Sequence, residues 1–380
     1  MHNRRSFLRE VLGTVWTTAT VLEQAVFRAA HARAEARTAP DDLFDLEKVA
    51  EGVYAVIPRP LGLIHSNAAV FENSADVLVV DTHSTSAAAA SVVAQVRKQI
   101  TTKPVRYIVN THFHWDHVQG NAAYRKIAPG ADIISSTVTR QLIAEQGPTR
   151  AKASLEQVPK AIENYRQRLS AAKSAPDRAY YQTMISGSQA YLAELKSLAF
   201  ELPNITFATD LVIHDKAHQF HLAFRGRGHT AGDIVVYCPQ KKVVAAGDLL
   251  HGFLPYFDDG YPQEWPATLR SCGEFAFERV IGGHGGVQHT RERLPQMAAY
   301  ISELVEAVAK GKQAGRTVQQ LQETITPATL KSLESGGYGR YVGATLVKYY
   351  PEATQSTPAE ALARGVQGNV ASVFNLLGKR

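Results

Sequence analysis

The sequence predicts an α/β protein in which two β-sheets face each other inside a coat of helices. Strand-like segments gather in two stretches, residues 48–80 and 205–247, and helix-like segments follow each of them. Residues 148–202, between these halves, are rich in Ala, Gln, Lys, Arg and Glu, with apolar residues at helical spacing. Because a sheet must bury an apolar face, the two halves are expected to pack sheet against sheet. The segment between them is expected to form an inserted helical hairpin.

The individual elements are predicted from local patterns. Short β-prone runs bounded by Pro, Gly, Asn or Ser indicate strands, and apolar residues every three or four positions indicate helices. The predicted strands are residues 53–57, 67–71, 77–80, 105–109, 211–213, 220–224, 234–238 and 243–246, and a helix is predicted at 86–100. After residue 109 a further helix and strand are predicted to reach Ser135, and residues 280–281 form another short apolar run. The hairpin is interpreted as a packing or dimerisation element, and a lid over an active site is the alternative.

Composition and charge exclude several classes of protein. Hydrophobic residues make up 45% and charged residues 20% of the 380 residues, which is the balance of a folded globular protein. No run approaches the ~18 unbroken apolar residues that a membrane span needs, so no integral membrane segment is predicted. Of the net charge of +6, residues 1–40 hold six arginines and three glutamates, which leaves 35 basic and 32 acidic residues elsewhere. So small an excess predicts no nucleic-acid partner.

The first forty residues are interpreted as a targeting segment. The string NRRSFLR at residues 3–9 resembles a twin-arginine export signal, and a modestly apolar stretch follows it. Glu23 and Arg28 interrupt that stretch, so an amphipathic helix that stays attached is the alternative. The predicted organisation is a signal and linker at 1–40, a catalytic domain at 41–295 and a helical C-terminal extension at 296–380. The predicted location is the periplasm.

A cluster of metal-ligating residue types follows the strand predicted at 105–109. Residues 112–117 read His-Phe-His-Trp-Asp-His, a string expected by chance in about one chain in a thousand of this composition. Imidazoles two residues apart in extended backbone point to the same side, so His112 and His114 can bind one ion. Asp116 and His117 follow at the turn and can reach a second ion nearby.

Three later strings, each beside a predicted strand, supply further ligands. Gly228-His229-Thr230 offers an imidazole, Gly247-Asp248 offers a carboxylate, and Gly283-His284 offers another imidazole. Each string is weak alone. In this order, and each near a strand end, they indicate a metal site together with residues 112–117.

With these motifs the chain resembles the metallo-β-lactamase-fold superfamily over about residues 48–289. The ordered marks of that family are an Asp after an early strand, here Asp81, then His-x-His-x-Asp-His, a Gly-His-Thr loop, a Gly-Asp and a late Gly-His. All five are present. The resemblance implies the αββα sandwich, which agrees with the two facing sheets predicted above.

The same resemblance implies a site with two zinc ions. One ion would be held by His112, His114 and His229, the other by Asp116, His117 and His284, with Asp248 bridging them. Asp81 would steady the ligand loop by hydrogen bonds without binding metal. The implied chemistry is hydrolysis by a metal-bound hydroxide, because zinc lowers the pKa of its bound water to about 7. Asp116 and Asp248 would also act in catalysis, Asp116 by orienting the hydroxide.

The residue type at position 248 narrows the class of substrate within the family. Many β-lactamases of this fold have Cys or Ser at the corresponding position, whereas thioesterases, lactonases and phosphodiesterases have Asp. The resemblance therefore implies a small-molecule substrate with an ester, thioester, lactone or β-lactam bond. Two alternatives stay open: a mononuclear iron sulfur (persulfide) dioxygenase, and a non-catalytic metal-binding partner of an exported redox system.

Residues that contact substrate are predicted from their position near the motifs. His65 ends the loop 58–65, which corresponds to a flap over the metals in lactamase-like members. His251 and Tyr256 follow Asp248 closely and are candidates for the pocket wall, with ordinary packing as the alternative. Trp115, between two ligand candidates, is interpreted as a packing residue.

Overall fold

The structure is a computed structural model that describes residues 43–59, 66–349 and 357–378. The export signal predicted at residues 1–40 lies outside the described residues. The strands are β1 Phe44–Ala50, β2 Val53–Pro58, β3 Ala68–Glu72, β4 Val77–Val80, β5 Val105–Val109, β6 Asp132–Ser136, β7 Ile205–Phe207, β8 Asp210–His214, β9 Gln219–Phe224, β10 Ile234–Cys238, β11 Val243–Gly247 and β12 Arg279–Gly282. The α-helices are α1 Ser86–Gln99, α2 Trp115–Val118, α3 Asn121–Ile127, α4 Thr137–Ala171, α5 Ala175–Leu195, α6 Trp265–Cys272, α7 Arg293–Gln313, α8 Val318–Thr324, α9 Lys331–Glu334, α10 Tyr338–Tyr349 and α11 Pro358–Leu376.

The strands form two sheets. The first has seven strands in the order β1 to β7, antiparallel from β1 to β4 and parallel from β4 to β7. The second has five strands in the order β12-β11-β10-β9-β8, and its β11–β12 pair is parallel. Parallel neighbours end at the same edge of a sheet, so the loops after β4 and β5 lie side by side, as do those after β11 and β12.

The alternation of side chains along the strands produces the layers. In β3, Phe71 belongs to the core between the sheets, whereas Val70 packs with the helices outside. Phe71 meets Phe220 of the second sheet edge to face, with ring centroids 5.1 Å apart. Helices α1 and α3 cover the outer face of the first sheet, and α6, α7 and the C-terminal helices cover that of the second. The protein is therefore an αββα sandwich, and the predicted fold class is confirmed.

Apart from the inserted hairpin, the elements predicted with bounds agree with the observed ones within one residue at each end, but strands β1 and β7 were not predicted. Strand β1 reads FDLEKVA, and only Phe44 and Val49 are buried in it. It therefore lacks the strict alternation that marks a strand in sequence. Strand β7 has three residues, too few for a periodic pattern to show.

The inserted hairpin consists of α4 and α5, and it starts earlier than predicted. Helix α4 begins at Thr137 and not near Pro148, because Ser136 caps it by accepting a hydrogen bond from the Thr139 amide at 3.0 Å. Pro148, which was interpreted as a boundary, lies inside the helix. A proline removes one amide donor and crowds the preceding turn, a cost that packing of the rest of a long helix can offset. Residues 196–202 follow α5 without helical structure.

The hairpin is docked on the body of the protein. The carboxylate of Glu194 accepts hydrogen bonds from the amides of Ser86 and Ala87 at 2.6 and 3.3 Å, at the positive N-terminal end of α1. The Tyr191 hydroxyl donates to Gln119 at 3.2 Å, and the Tyr191 ring centroid lies 5.2 Å from that of Trp115. These contacts support the interpretation of the hairpin, and of Trp115, as packing elements.

The C-terminal helices complete the second core. Helix α7 begins at Arg293, so the boundary predicted between residues 295 and 296 falls inside this helix. Its Met297, Tyr300 and Ile301 are fully buried in the cluster that contains Val244 of β11. The C-terminal part is therefore the outer layer of the second sheet. Within the described part of the chain, no helix combines the length and the apolar character that crossing a membrane requires.

Candidate metal centre

The predicted ligands come from loops at one edge of the sandwich. Residues 112–117 follow β5, and Asp81 directly follows the neighbouring strand β4, whose pairing with β5 is parallel. Asp248 follows β11, and His284 follows β12, its parallel neighbour. His229 precedes β10. The topology thus brings residues distant in sequence to one place.

Three histidines form the more deeply buried part of the centre. His112, His114 and His229, here called the three-histidine group, offer ligand atoms that lie with one of Asp248 within 4.8 Å of one another. His114 Nδ1 is 2.8 Å from His229 Nε2. The exposed fractions of the three side chains are 1%, 6% and 0% in chain order. A metal ion held by this group would be shielded from water on most sides.

The second part of the centre opens to solvent. Asp116, His117 and His284, here called the mixed group, also offer ligand atoms within 4.8 Å of one another. Asp116 Oδ2 lies 3.1 Å from His284 Nε2 and 3.5 Å from His117 Nε2. The side chains of Asp116 and His284 are 14% and 19% exposed, so a small molecule can approach from this side.

Asp248 contacts both groups. Its Oδ2 lies 3.5 Å from His229 Nε2 in the three-histidine group and 3.5 Å from His284 Nε2 in the mixed group. Its Oδ1 lies 3.4 Å from His117 Nε2. The carboxylate therefore stands between the two sets of candidate ligands, where the family resemblance implies a bridging ligand.

The donor atoms fit metal ions. Ligands of a tetrahedral zinc ion at about 2.0 Å from the metal lie about 3.3 Å apart. The distances between carboxylate oxygens and imidazole nitrogens in the two groups run from 3.1 to 4.0 Å. Among the described residues, the buried His112 Nε2, His117 Nε2 and Asp248 Oδ1 have no hydrogen-bond partner. Buried polar atoms are nearly always paired, and a metal ion would provide these three with their partner.

The two groups differ in their affinity for protons. Burial, together with the neighbouring imidazoles, holds the pKa of His112 well below its usual range and lowers the pKa of His229 to about 3. Burial alone would lower the pKa of His117 too, but three neighbouring carboxylates outweigh it and raise this pKa to about 9. In the metal-free protein at neutral pH, His112 and His229 are therefore neutral, while His117 holds a proton.

Asp81 supports the ligand loop and belongs to neither group. Its Oδ1 accepts a hydrogen bond from the Thr111 amide at 2.8 Å, and its Oδ2 accepts one from His117 Nδ1 at 2.8 Å. The second bond leaves His117 Nε2 facing the mixed group. Asp81 has a φ of 65°, in the left-handed region where non-glycine residues are uncommon. The hydrogen bonds hold this strained backbone in place.

The loop that carries His284 depends on Asn67, which has no place in the sequence motifs, and on Gly283. Asn67 donates from Nδ2 to the carbonyls of Gly282 and Gly285, both at 2.8 Å. A Cβ added at Gly283 would lie 2.0 Å from Asp248 Oδ1 and 2.8 Å from His117 Cε1, so only glycine fits. The glycine-rich string around His284 hinted at such a close approach. Asn67 has no sequence motif, because its partners lie more than two hundred residues away.

Sequence analysis also missed Asp259. Its Oδ2 accepts a hydrogen bond from His114 Nε2 at 2.9 Å, on the side of the ring that faces away from His229. Burial would raise the pKa of Asp259, but the hydrogen bond from His114 and the charge of Arg150 outweigh it and hold that pKa below its ordinary value. The pair Asp258-Asp259 resembles a solvent-exposed turn in sequence, so nothing local pointed to this role.

Of the three pocket residues predicted from sequence, two lie beside the metal centre. His65 lies outside the described residues. His251 is buried, its Nδ1 accepts from the Phe253 amide at 3.1 Å, and its ring centroid lies 6.2 Å from that of His284. Tyr256 packs with ring centroids 6.2 and 6.1 Å from those of two members of the three-histidine group, and its hydroxyl donates to Asp258. Both lie beside the centre, and neither belongs to the two groups of ligand candidates.

Residues 61–284 match the family described as the metallo-beta-lactamase superfamily. Among solved structures, the chain is similar to a metallo-beta-lactamase from Pontibacter korlensis, with 19% identity and a TM-score of 0.48, over 67% of this chain and 98% of that one. It is also similar to a metallo-beta-lactamase from Hirschia baltica, with 19% identity and a TM-score of 0.48, over 68% of this chain and 97% of that one. At these identities the likeness concerns the fold alone.

Proposed function

The chain belongs to the metallo-β-lactamase superfamily, and from this premise we propose that it is a dinuclear zinc hydrolase of a small-molecule ester, thioester, lactone or β-lactam. The observation that carries the proposal is the contact of Asp248 with both groups of ligand candidates. A carboxylate shared by two sets of three donors suits a pair of neighbouring ions. The complete mixed group also favours two ions over the single iron of a dioxygenase.

The three-histidine group and Asp116 have different roles in the proposed hydrolysis. Zinc ions, when bound, act as Lewis acids and bring the pKa of water to about 7. The three-histidine group would hold its ion in a dry pocket, where electrostatic effects are stronger than in water. Burial raises the pKa of Asp116, but the charges of His117 and His284 outweigh it and hold this pKa at about 2. Asp116 is therefore ionised at neutral pH, and on the solvent-facing side of the centre it can accept a hydrogen bond from the attacking water.

Metal analysis and an activity screen test this proposal together. Protein purified without added metal is expected to contain up to two zinc ions per chain by mass spectrometry. It is expected to turn over at least one of nitrocefin, an acyl-homoserine lactone or lactoylglutathione. One iron and no zinc would instead indicate the dioxygenase. Two bound zinc ions with no turnover across a wider ester and lactam panel would favour the non-catalytic metal-binding protein.

Substitution of Asp248 tests the observation that carries the proposal. Asp248→Ala removes the shared carboxylate, and we expect hydrolysis to fall by at least about a thousandfold, since metal ions contribute several kcal/mol to such reactions. Asp210→Ala, at an exposed position on the edge strand β8 of the second sheet, is the control and should retain full activity. A wild-type rate in Asp248→Ala, with circular dichroism unchanged, would remove the dinuclear mechanism.

We also propose that the chain is exported by the twin-arginine route. The support is the string NRRSFLR at residues 3–9 and the apolar stretch after it. Replacing Arg4 and Arg5 together by lysine should keep the protein in the cytoplasmic fraction. The matched control replaces Arg33 and Arg37 by lysine, outside the string, and should leave export unchanged. Export of both variants to the same extent would contradict the proposal.

A further inference from the structure

A chain of contacts joins the inserted hairpin to a metal-ligand candidate. Arg150 lies on α4 and donates to both oxygens of Asp259, from Nη1 at 3.0 Å and from Nη2 at 2.7 Å. Asp259 in turn accepts from His114 Nε2 at 2.9 Å. The other nitrogen of His114, Nδ1, faces His229 in the three-histidine group. One imidazole thus links the candidate metal position to a carboxylate that the hairpin holds.

We propose that Arg150 is a positioning residue: it holds Asp259 against His114, so that this one contact of the inserted hairpin sets the affinity of the three-histidine group for its metal ion. The inference rests on the part of the proposed function that concerns metal binding. It does not depend on which substrate is hydrolysed, or on whether any is.

The Asp259 carboxylate fixes the tautomer and the ring orientation of His114. The carboxylate accepts a hydrogen bond from the Nε2–H of His114, so the hydrogen of a metal-binding imidazole stays on that side and the Nδ1 lone pair faces His229 and the metal position. Arg150 fixes the carboxylate, because a guanidinium fork binding both oxygens restrains its rotation in a way that the point charge of a lysine cannot. The side chains of Arg150 and Asp259 are 20% and 22% exposed, so water competes only in part for these bonds.

Arg150 is itself held in place. Gln146, one turn earlier on α4, accepts from Arg150 Nε at 3.1 Å and from Nη2 at 2.7 Å. The Arg150 guanidinium also lies 4.7 Å from the ring centroid of Phe113, the residue between His112 and His114. The arginine therefore contacts the ligand-bearing loop twice, once through Asp259 and once through the aromatic ring.

Zinc affinity, measured without substrate, tests the proposal. In the full chain, titrated against a zinc chelator, Arg150→Gln is expected to weaken one of the two zinc equivalents by about 10- to 100-fold, the range found when partners of metal ligands are removed. Arg106→Gln is the matched control. Arg106 also pairs with an aspartate, Asp132 at 2.6 Å, and lies 5.0 Å from an aromatic ring centroid, that of Tyr107, at the other end of β5. Both zinc affinities of Arg106→Gln should stay within about twofold of the wild-type values.

Two further variants separate positioning from ordinary stabilisation. Asp259→Asn is expected to lower the affinity for the same zinc equivalent. The double variant Arg150→Gln/Asp259→Asn should bind this zinc little less tightly than the single variant with the lower affinity, since both residues act through His114. Arg150→Lys, which keeps the charge and loses the fork, should recover only part of the affinity. Fully additive losses, or complete recovery by lysine, would show that the fork and His114 do not act together as proposed.

Melting curves complete the test. If Arg150 only stabilised the fold, Arg150→Gln would lower the melting temperature of metal-free and zinc-loaded protein equally and leave both affinities unchanged, and the proposal would be overturned. A wild-type protein that binds two zinc ions but hydrolyses nothing would contradict the proposed hydrolase and leave this inference standing. A wild-type protein that binds no zinc would overturn both.

Discussion

The two groups of ligand candidates share residue types but differ in surroundings. The three-histidine group is almost inaccessible, and burial lowers the pKa values of His112 and His229, so these imidazoles are neutral before any metal arrives. The mixed group opens to solvent, and the carboxylates around His117 raise its pKa to about 9. Histidine is thus neutral and able to bind metal directly in the three-histidine group, whereas His117 in the mixed group must first lose a proton. The first ion is therefore expected to bind in the three-histidine group.

Removal of one histidine from each group should give the largest difference. His112→Ala takes a ligand from a pocket that water barely reaches, and we expect kcat/KM to fall by at least about a thousandfold. His284→Ala takes a ligand that is 19% exposed, and water can fill its place, so a loss of only about 10- to 100-fold is expected. Equal losses in steady-state assays of both variants, with metal content measured alongside, would mean that burial does not distinguish the groups.

Substitution of Gly283 should affect the mixed group through the backbone. Gly283→Ala places a methyl group against Asp248 Oδ1 and His117, and we expect one zinc equivalent to bind about 10- to 100-fold more weakly in chelator titrations. Gly130→Ala is the control, because a Cβ there meets nothing within 4 Å. Wild-type affinity in Gly283→Ala would show that the loop yields to the methyl group without moving the ligands.

Proton release on zinc binding should distinguish the groups at neutral pH. His117, with a pKa of about 9 in the metal-free protein, is protonated below that pH, so zinc must displace its proton and affinity should fall about tenfold per pH unit on acidification from pH 9. His229, with a pKa of about 3, has no proton to lose in this range. Calorimetry at pH 7 in buffers of different ionisation enthalpy should show about one proton released by His117 with the weaker zinc equivalent. A pH-independent affinity for that equivalent would contradict the contrast between the groups.

The smallest effect concerns the packing that the groups share. Tyr191→Phe removes the hydrogen bond from the hairpin to Gln119, just beyond the ligand loop, and should lower the free energy of unfolding by about 1 kcal/mol without favouring either zinc equivalent. Tyr124→Phe is the control, since the buried Tyr124 hydroxyl has no partner within the described ranges, and urea unfolding should find it neutral or stabilised. A selective loss of one zinc equivalent in Tyr191→Phe would show that Tyr191, like Arg150, positions a ligand of one group, and would contradict its role as shared packing.

Local patterns predicted most of the fold because they repeat. Alternation in the strands and helical spacing in α1 each involve several residues, so these elements could be located within one residue, and helical spacing also revealed the hairpin. Strand β1 escaped prediction because only Phe44 and Val49 of its seven residues are buried. The predicted start of α4 near Pro148 is wrong because a capped and packed helix continues through this proline.

The sequence by itself determined the candidate ligands, since seven histidines and aspartates in short motifs near strand ends are a recognisable metal-binding pattern. Only the tertiary structure decided which atoms meet, that Asp248 faces both groups, and that Asn67, Asp259 and Arg150 support the ligand loops. Their partners lie far away along the chain, and a single polar residue carries no periodic pattern. Burial and neighbouring charge, which set the proton affinity of each imidazole, arise only when the loops are brought together.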